Sequence, residues 1–296
     1  MKTCQQKKLH YALSGLMFLV CASQAHAFAV YGLIGDKWKK LGSERSPVGL
    51  PVTDELDALN GRYNDFQFGS IYWKKGNPQA FAVYGQIATK WKDLGREKGL
   101  GYPTNDESPA AHGGRYNNFD KNAAIYFKPG IGAKAVYGFI FQKWDSLARE
   151  NGFLGFPTTD EFAVGTEGCL ASQFEGGIIY WSKYDGAKEF SGLPTGRILN
   201  PSVIVNTEKH QLGGWVKVSG SNFVPNSRVN IFADNLPRRA DPMSLGGANT
   251  DANGNFSGFV YDARCWNGAD GWVEVRVSDR TTGVFTTGTT SAFHCN

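Results

Sequence analysis

Apolar positions along the first two thirds of the chain switch period at regular intervals. Ile34, Trp38 and Leu41 stand at i, i+4 and i+7, one face of a short helix, and Lys37, Lys39 and Lys40 suit its wet side. Ile87, Trp91 and Leu94 repeat the stripe, as do Ile140, Trp144 and Leu147. Before each stripe comes Ala-Val-Tyr-Gly, beginning at Ala29, Ala82 and Ala135, a short extended piece closed by glycine. After each comes a Gly-x-Pro corner ending in an acidic pair: VGLPVTDE from Val48, LGYPTNDE from Leu100 and LGFPTTDE from Leu154. Two short runs follow, GRYNDF and SIYWKK in the first case, with glycine-containing turns. They read as a β-hairpin.

The spacing makes these three copies of one unit. Tyr31, Tyr84 and Tyr137 are 53 apart, and so are Trp38, Trp91 and Trp144. An α+β repeat domain is expected over 28–192, with units near 29–81, 82–134 and 135–192. GAKEFSG from Gly186 matches GAKAVYG, which opens the third unit. A fourth opening strand is therefore expected, closing the array beside the N-terminal strand and hiding an edge.

Beyond a linker at 193–203 the helical period stops. WVKVSGSNF, RVNIFA, NFSGFVYD and WVEVRVSD alternate apolar and polar residues. DANGNF, Asp251 to Phe256, is a hairpin signal because Asn-Gly accepts positive φ. An all-β sandwich is expected over 204–296, and VSGSNFVPNSRVNIF resembles bacterial immunoglobulin-like and IPT-type domains.

The N-terminus changes the reading of charge. Lys2, Lys7 and Lys8, an apolar run and Ala-His-Ala at Ala25–Ala27 form a signal peptide pattern, with cleavage expected after Ala27. Without that segment the formal charge falls from +4 to about +1, which gives no general pull toward nucleic acid or anionic lipid. No later segment is apolar enough to span a membrane. A secreted, periplasmic or envelope-associated protein is expected. Export favours disulfides, so Cys265 and Cys295 are the expected pair, with Cys169 left over.

The candidate chemistry lies on the repeated positions. The helix tryptophans fit core packing. Trp73, Phe127 and Trp181 each follow a tyrosine, Tyr72, Tyr126 and Tyr180, so adjacent rings point to opposite faces of a strand. Outward rings suit sugar faces, and inward rings suit packing; the order alone does not choose between them. Asp54, Asp106 and Asp160 fit backbone-binding turn residues. The adjacent Glu55, Glu107 and Glu161 fit acceptors for sugar hydroxyls as well as they fit structure. Arg62 and Asn64 recur as Arg115 and Asn117, whereas the third unit has Leu170 and Ser172. They form either a ligand-facing polar strand or a solvated one. No catalytic constellation, metal-ligand spacing or cofactor motif is recognisable, and three equivalent carboxylate pairs argue against a glycosidase acid and base.

Taken together, the Trp-bearing helix, the Leu-Gly-Phe-Pro corner, its glutamate and the Gly-Ile-Ile-Tyr-Trp strand resemble LGFP repeats over about residues 29–192. The resemblance implies a bacterial envelope protein that binds or anchors to cell-wall polysaccharide. Phe127 departs from the pattern where the strand tryptophan is expected. The expectation is a secreted, non-catalytic glycan-binding protein. The rivals are a protein-binding adhesin or effector acting through the sandwich, and a cell-wall hydrolase.

Overall fold

Strand pairing shows that the first two units do not complete their own sheets. A computed structural model describes residues 28–165, 168–191, 198–210, 213–234, 242–264 and 273–289. The expected signal peptide and the expected Cys265–Cys295 pair lie outside them. The three helices fall on the stripes, at Gly32–Lys40, Gly85–Asp93 and Gly138–Ser146. The first antiparallel sheet holds β1 (Leu56–Ala58), β2 (Gly61–Phe66), β3 (Gly69–Lys74) and β4 (Phe81–Tyr84), in that order. The second holds β5 (Ser108–Pro109), β6 (Arg115–Phe119), β7 (Ala123–Lys128) and β8 (Gly132–Tyr137). The third holds β9 (Phe162–Ala163), β10 (Leu170–Phe174), β11 (Gly177–Ser182) and β12 (Gly186–Phe190).

β4 and β8 are the opening strands of the following units. Each docks on the free edge of the hairpin just before it, the nearest edge along the chain. β12 does the same, with Ile178 opposite Phe190 and Tyr180 opposite Lys188. This corrects the expected closure: the fourth opening strand completes the third sheet and does not pair with the N-terminal strand. Residues 28–31 belong to no strand.

The pleat decides which helix each side chain meets. Ile71, Ala82 and Trp73 pack toward the first helix, while Tyr72 and Val83 pack with Ile87 and Trp91 of the second. The layers therefore run helix, sheet, helix, sheet, helix, sheet. Trp91 lies between two sheets, edge-on to Tyr72 at 4.8 Å and stacked on Phe119 at 5.4 Å. Trp144 is placed likewise, against Tyr126 and Phe174. Trp38 has one sheet beside it and stays partly exposed. Lys37, expected on a wet face, is only 6% exposed. Its ammonium reaches Asp106 of the next unit at 2.7 Å and lies over the Phe81 ring.

The C-terminal strands are β13 (Ser202–His210), β14 (Gly213–Ser221), β15 (Arg228–Ala233), β16 (Met243–Asn249), β17 (Phe256–Arg264), β18 (Glu274–Asp279) and β19 (Phe285–Thr289). They form two sheets, β13-β14-β17 and β16-β15-β18-β19. Val216, Val218, Ile231, Val275 and Val277 fill the core between them. Asp251–Phe256 is a turn but not a hairpin, because β16 and β17 belong to different sheets. There the Asp251 carboxylate accepts N–H bonds from Asn255 and Asn253 at 2.9 and 2.8 Å, which hold it below its ordinary range.

This domain covers the outer face of the third sheet. Ala171, Ile178 and Tyr180 pack with Leu199, Val224, Val284 and Phe285. Arg276 lies between the Tyr184 and Phe232 rings, 3.8 and 4.3 Å from their centroids, and pairs with Asp234 at 2.9 Å. Cys169 sits in this seam, where burial pushes its thiol up to about 11 and its Sγ meets the Phe285 carbonyl.

Candidate functional site

The corner motif is most of all a joint. Gly49, Gly101 and Gly155 have φ of +79, +91 and +66°, a region that disfavours side chains. Their carbonyls accept the indole N–H of Trp38, Trp91 and Trp144, at 3.1, 3.3 and 3.2 Å, so each helix is tied to its own corner. The next residue reaches the neighbouring unit. Tyr102 packs edge-on to Tyr72, and its hydroxyl accepts the Asn60 N–H at 2.9 Å. Phe156 packs edge-on to Tyr126. Leu50, with no preceding sheet, is 43% exposed.

The aspartates belong to the same joint. Asp54, Asp106 and Asp160 accept the backbone N–H of Ala29, Ala82 and Ala135, at 2.8, 2.9 and 2.9 Å. The second oxygens of Asp106 and Asp160 hold Lys37 and Lys90 from the preceding helices. Asn64 and Asn117 are fully buried and clamp backbone carbonyls, Ala29 and Thr53 in one case, Ala82 and Asn105 in the other. They are withdrawn as glycan contacts, because a side chain without surface cannot meet a polymer. Tyr72, Tyr126 and Tyr180 are withdrawn for the same reason, at 1, 2 and 0% exposure. The Tyr72 hydroxyl accepts from Arg96 of the next unit, and the Tyr180 hydroxyl accepts the Leu199 N–H.

The remaining candidates come together in one cluster per unit. Arg62 stands opposite Trp73 across β2 and β3, and Arg115 stands opposite Phe127. Trp73, Phe127 and Trp181 are half-buried, each with part of its ring at the surface. Arg62 Nε donates to Glu55 at 2.8 Å, and a further guanidinium nitrogen bonds Asp57. Arg115 Nε donates to Glu107 at 3.0 Å, and Nη2 reaches the Tyr84 hydroxyl at 3.2 Å. Burial raises the Glu107 pKa, and Arg115 opposes the shift. In both clusters the glutamate is occupied from within.

The third cluster has no arginine. Leu170 stands opposite Trp181, and among the described residues Glu161 has the Tyr137 hydroxyl as its hydrogen-bond partner. Burial raises Glu161 to about 7, with the Tyr137 hydrogen bond opposing. Phe139, 59% exposed, stacks on Trp181 at 5.5 Å and 3°. The result is a flat aromatic pair on a unit whose glutamate, among the described residues, has no arginine beside it. Tyr84 and Tyr137 were visible in the sequence as repeat markers. Their part in the clusters was not, because it depends on the Tyr-Gly strand end folding back beside the acidic pair.

No group of three or more potential metal ligands occurs among the described residues, and no described helix is long and apolar enough to cross a membrane. A family model described as LGFP repeat matches residues 48–99, 100–152 and 154–199, about half of the chain. Its repeats run from corner to corner, so each holds one complete four-stranded sheet. No curated protein matches. Among solved structures, one described as the extracellular domain of a hybrid two-component system from B. thetaiotaomicron is 8% identical, with a TM-score of 0.19. The similarity covers 82% of this chain and 37% of that one, and carries no argument here.

Proposed function

The chain belongs to the LGFP repeat family, and from that premise we propose a secreted, non-catalytic protein that holds cell-wall or extracellular polysaccharide. LGFP repeats occur in cell-surface proteins. The carrying observation is the recurrence, once in each of three stacked units, of a part-exposed strand aromatic and a corner glutamate. A polymer of repeating sugars meets such an array at several points, so modest single contacts combine. The third cluster is the strongest of the three, because its carboxyl and its aromatic pair are not closed off by an arginine. The sandwich supports the stack by covering its last sheet.

The test is retention on insoluble cell-wall polysaccharide. Ala substitution at Trp181 and Glu161 is expected to weaken retention at least tenfold together, and Trp73→Ala by less. Full retention by all three variants would remove these residues from the site. No retention of the unaltered protein would remove the function, and turnover of the polysaccharide by purified protein would replace it with hydrolysis.

A further inference from the structure

The joint between the first two units is open where the next joint is filled. Ala88 of the second helix occupies the position of Phe141 in the third. Phe141 is 8% exposed, with the Arg149 guanidinium over its ring at 4.9 Å. At Ala88 the missing ring leaves a groove of about 610 Å³ between the first sheet and the second helix. That volume lies within the ~300–1,000 Å³ usual for ligand sites. Phe68 lines it and is 63% exposed. Its counterparts are Lys121 and Gly176, so this aromatic wall too is peculiar to the first joint.

The polar lining suits hydroxyl groups. Thr89 exposes a hydroxyl on the helix side. Asp65 and Arg96 pair with each other at 3.2 Å, so they offer hydrogen bonds with little net charge. A second hollow of about 540 Å³ also borders Arg96. Arg96 is fixed there, because its guanidinium also holds the Tyr72 hydroxyl at 3.0 Å and lies over Tyr63.

We propose that this groove binds a short stretch of polysaccharide, with one sugar ring against Phe68 and its hydroxyls met by Thr89, Asp65 and Arg96. It rests on the polysaccharide-binding reading above and adds a site apart from the three clusters. The second joint, filled by Phe141, does not bind.

Ala88→Phe in the full mature chain tests the groove, since the third helix shows that the fold holds phenylalanine there. The probe is insoluble cell-wall polysaccharide in a retention assay, with a melting curve alongside. Expected is at least tenfold weaker retention and an unchanged melting temperature. Phe68→Ala, on the surface, is expected to lose three- to tenfold, and decides the matter if Ala88→Phe does not fold. Retention of the unaltered protein with undiminished retention of the folded variants would overturn the groove and leave the function standing. No retention of the unaltered protein would overturn both.

Discussion

At the first unit, the positions that elsewhere reach back to a preceding sheet hold Ser43, Leu50 and Gln67. In the later units the same positions hold Arg96 and Arg149, Tyr102 and Phe156, and Asp120 and Glu175. At the other end, the face that would receive a fourth unit receives the sandwich. The Tyr180 hydroxyl there accepts the Leu199 backbone N–H, where the Tyr72 hydroxyl accepts from an arginine. One end lacks the joint residues and, among the described residues, any covering element, and the other is covered by a separate domain. The difference separates two kinds of repeated residue. Those that change at an end belong to the stacking joints, while the glutamate and the strand aromatic persist in all three units regardless of neighbours.

The largest effect is expected at the covered end. Truncation after Ser191 bares Ala171, Ile178 and Tyr180. It is expected to lower the melting temperature by on the order of 10 °C and to cause self-association in light scattering. A truncated chain as stable and monodisperse as the full one would show that the sandwich is no cap. Arg276→Ala should cost about 3–5 kcal/mol in denaturant unfolding, because it removes a buried guanidinium that pairs with Asp234 and fills the space between two rings. Arg45→Ala, on the exposed turn of the open end, should change stability by no more than about 0.5 kcal/mol.

A smaller effect separates the clusters. The folded state raises Glu161 to about 7, above the roughly 4.3 of an unfolded glutamate. The fold therefore prefers the protonated form. That contribution is fully present below about pH 4.3 and is lost as pH rises through 7. Glu161→Gln should remove this pH dependence and stabilise the protein at pH 8 by about 1–3 kcal/mol. Leu170→Arg should instead return Glu161 to the acid range, as carboxyl NMR titration would record. A Glu161 that titrates as a free glutamate in the unaltered protein would erase the distinction between the third cluster and the first two. Leu50→Ala is expected to cost little as well, under about 1 kcal/mol, since Leu50 is already 43% exposed.

Much of this was legible in the chain. The 53-residue spacing of the tryptophans places the helices, and the order of corner and hairpin follows. Alternation along β3, β7 and β11 says that Tyr and Trp face apart, but not which face is buried. That depends on the next helix, which closes over Tyr72 and Tyr126. For the same reason Asn64 and Asn117 read as surface residues until the neighbouring backbone is present to bind them. A repeat that begins at Ala-Val-Tyr-Gly points β12 to the N-terminal strand, whereas the folded sheet runs from corner to corner and takes β12 as its last strand. The Asn-Gly turn has the local signal of a hairpin, although the strands it joins pair in different sheets. The groove beside Ala88 depends on a side chain that is absent in one unit and present in another, which only the stack makes visible.

The most direct measurement compares Phe156→Ala with the unaltered chain, for stability and for retention on cell-wall polysaccharide in the same preparation. If the corner aromatic is a joint, the variant loses about 3–5 kcal/mol, and its folded fraction is retained as before. Unchanged stability with lost retention would make the corner a ligand contact and contradict its assignment to stacking.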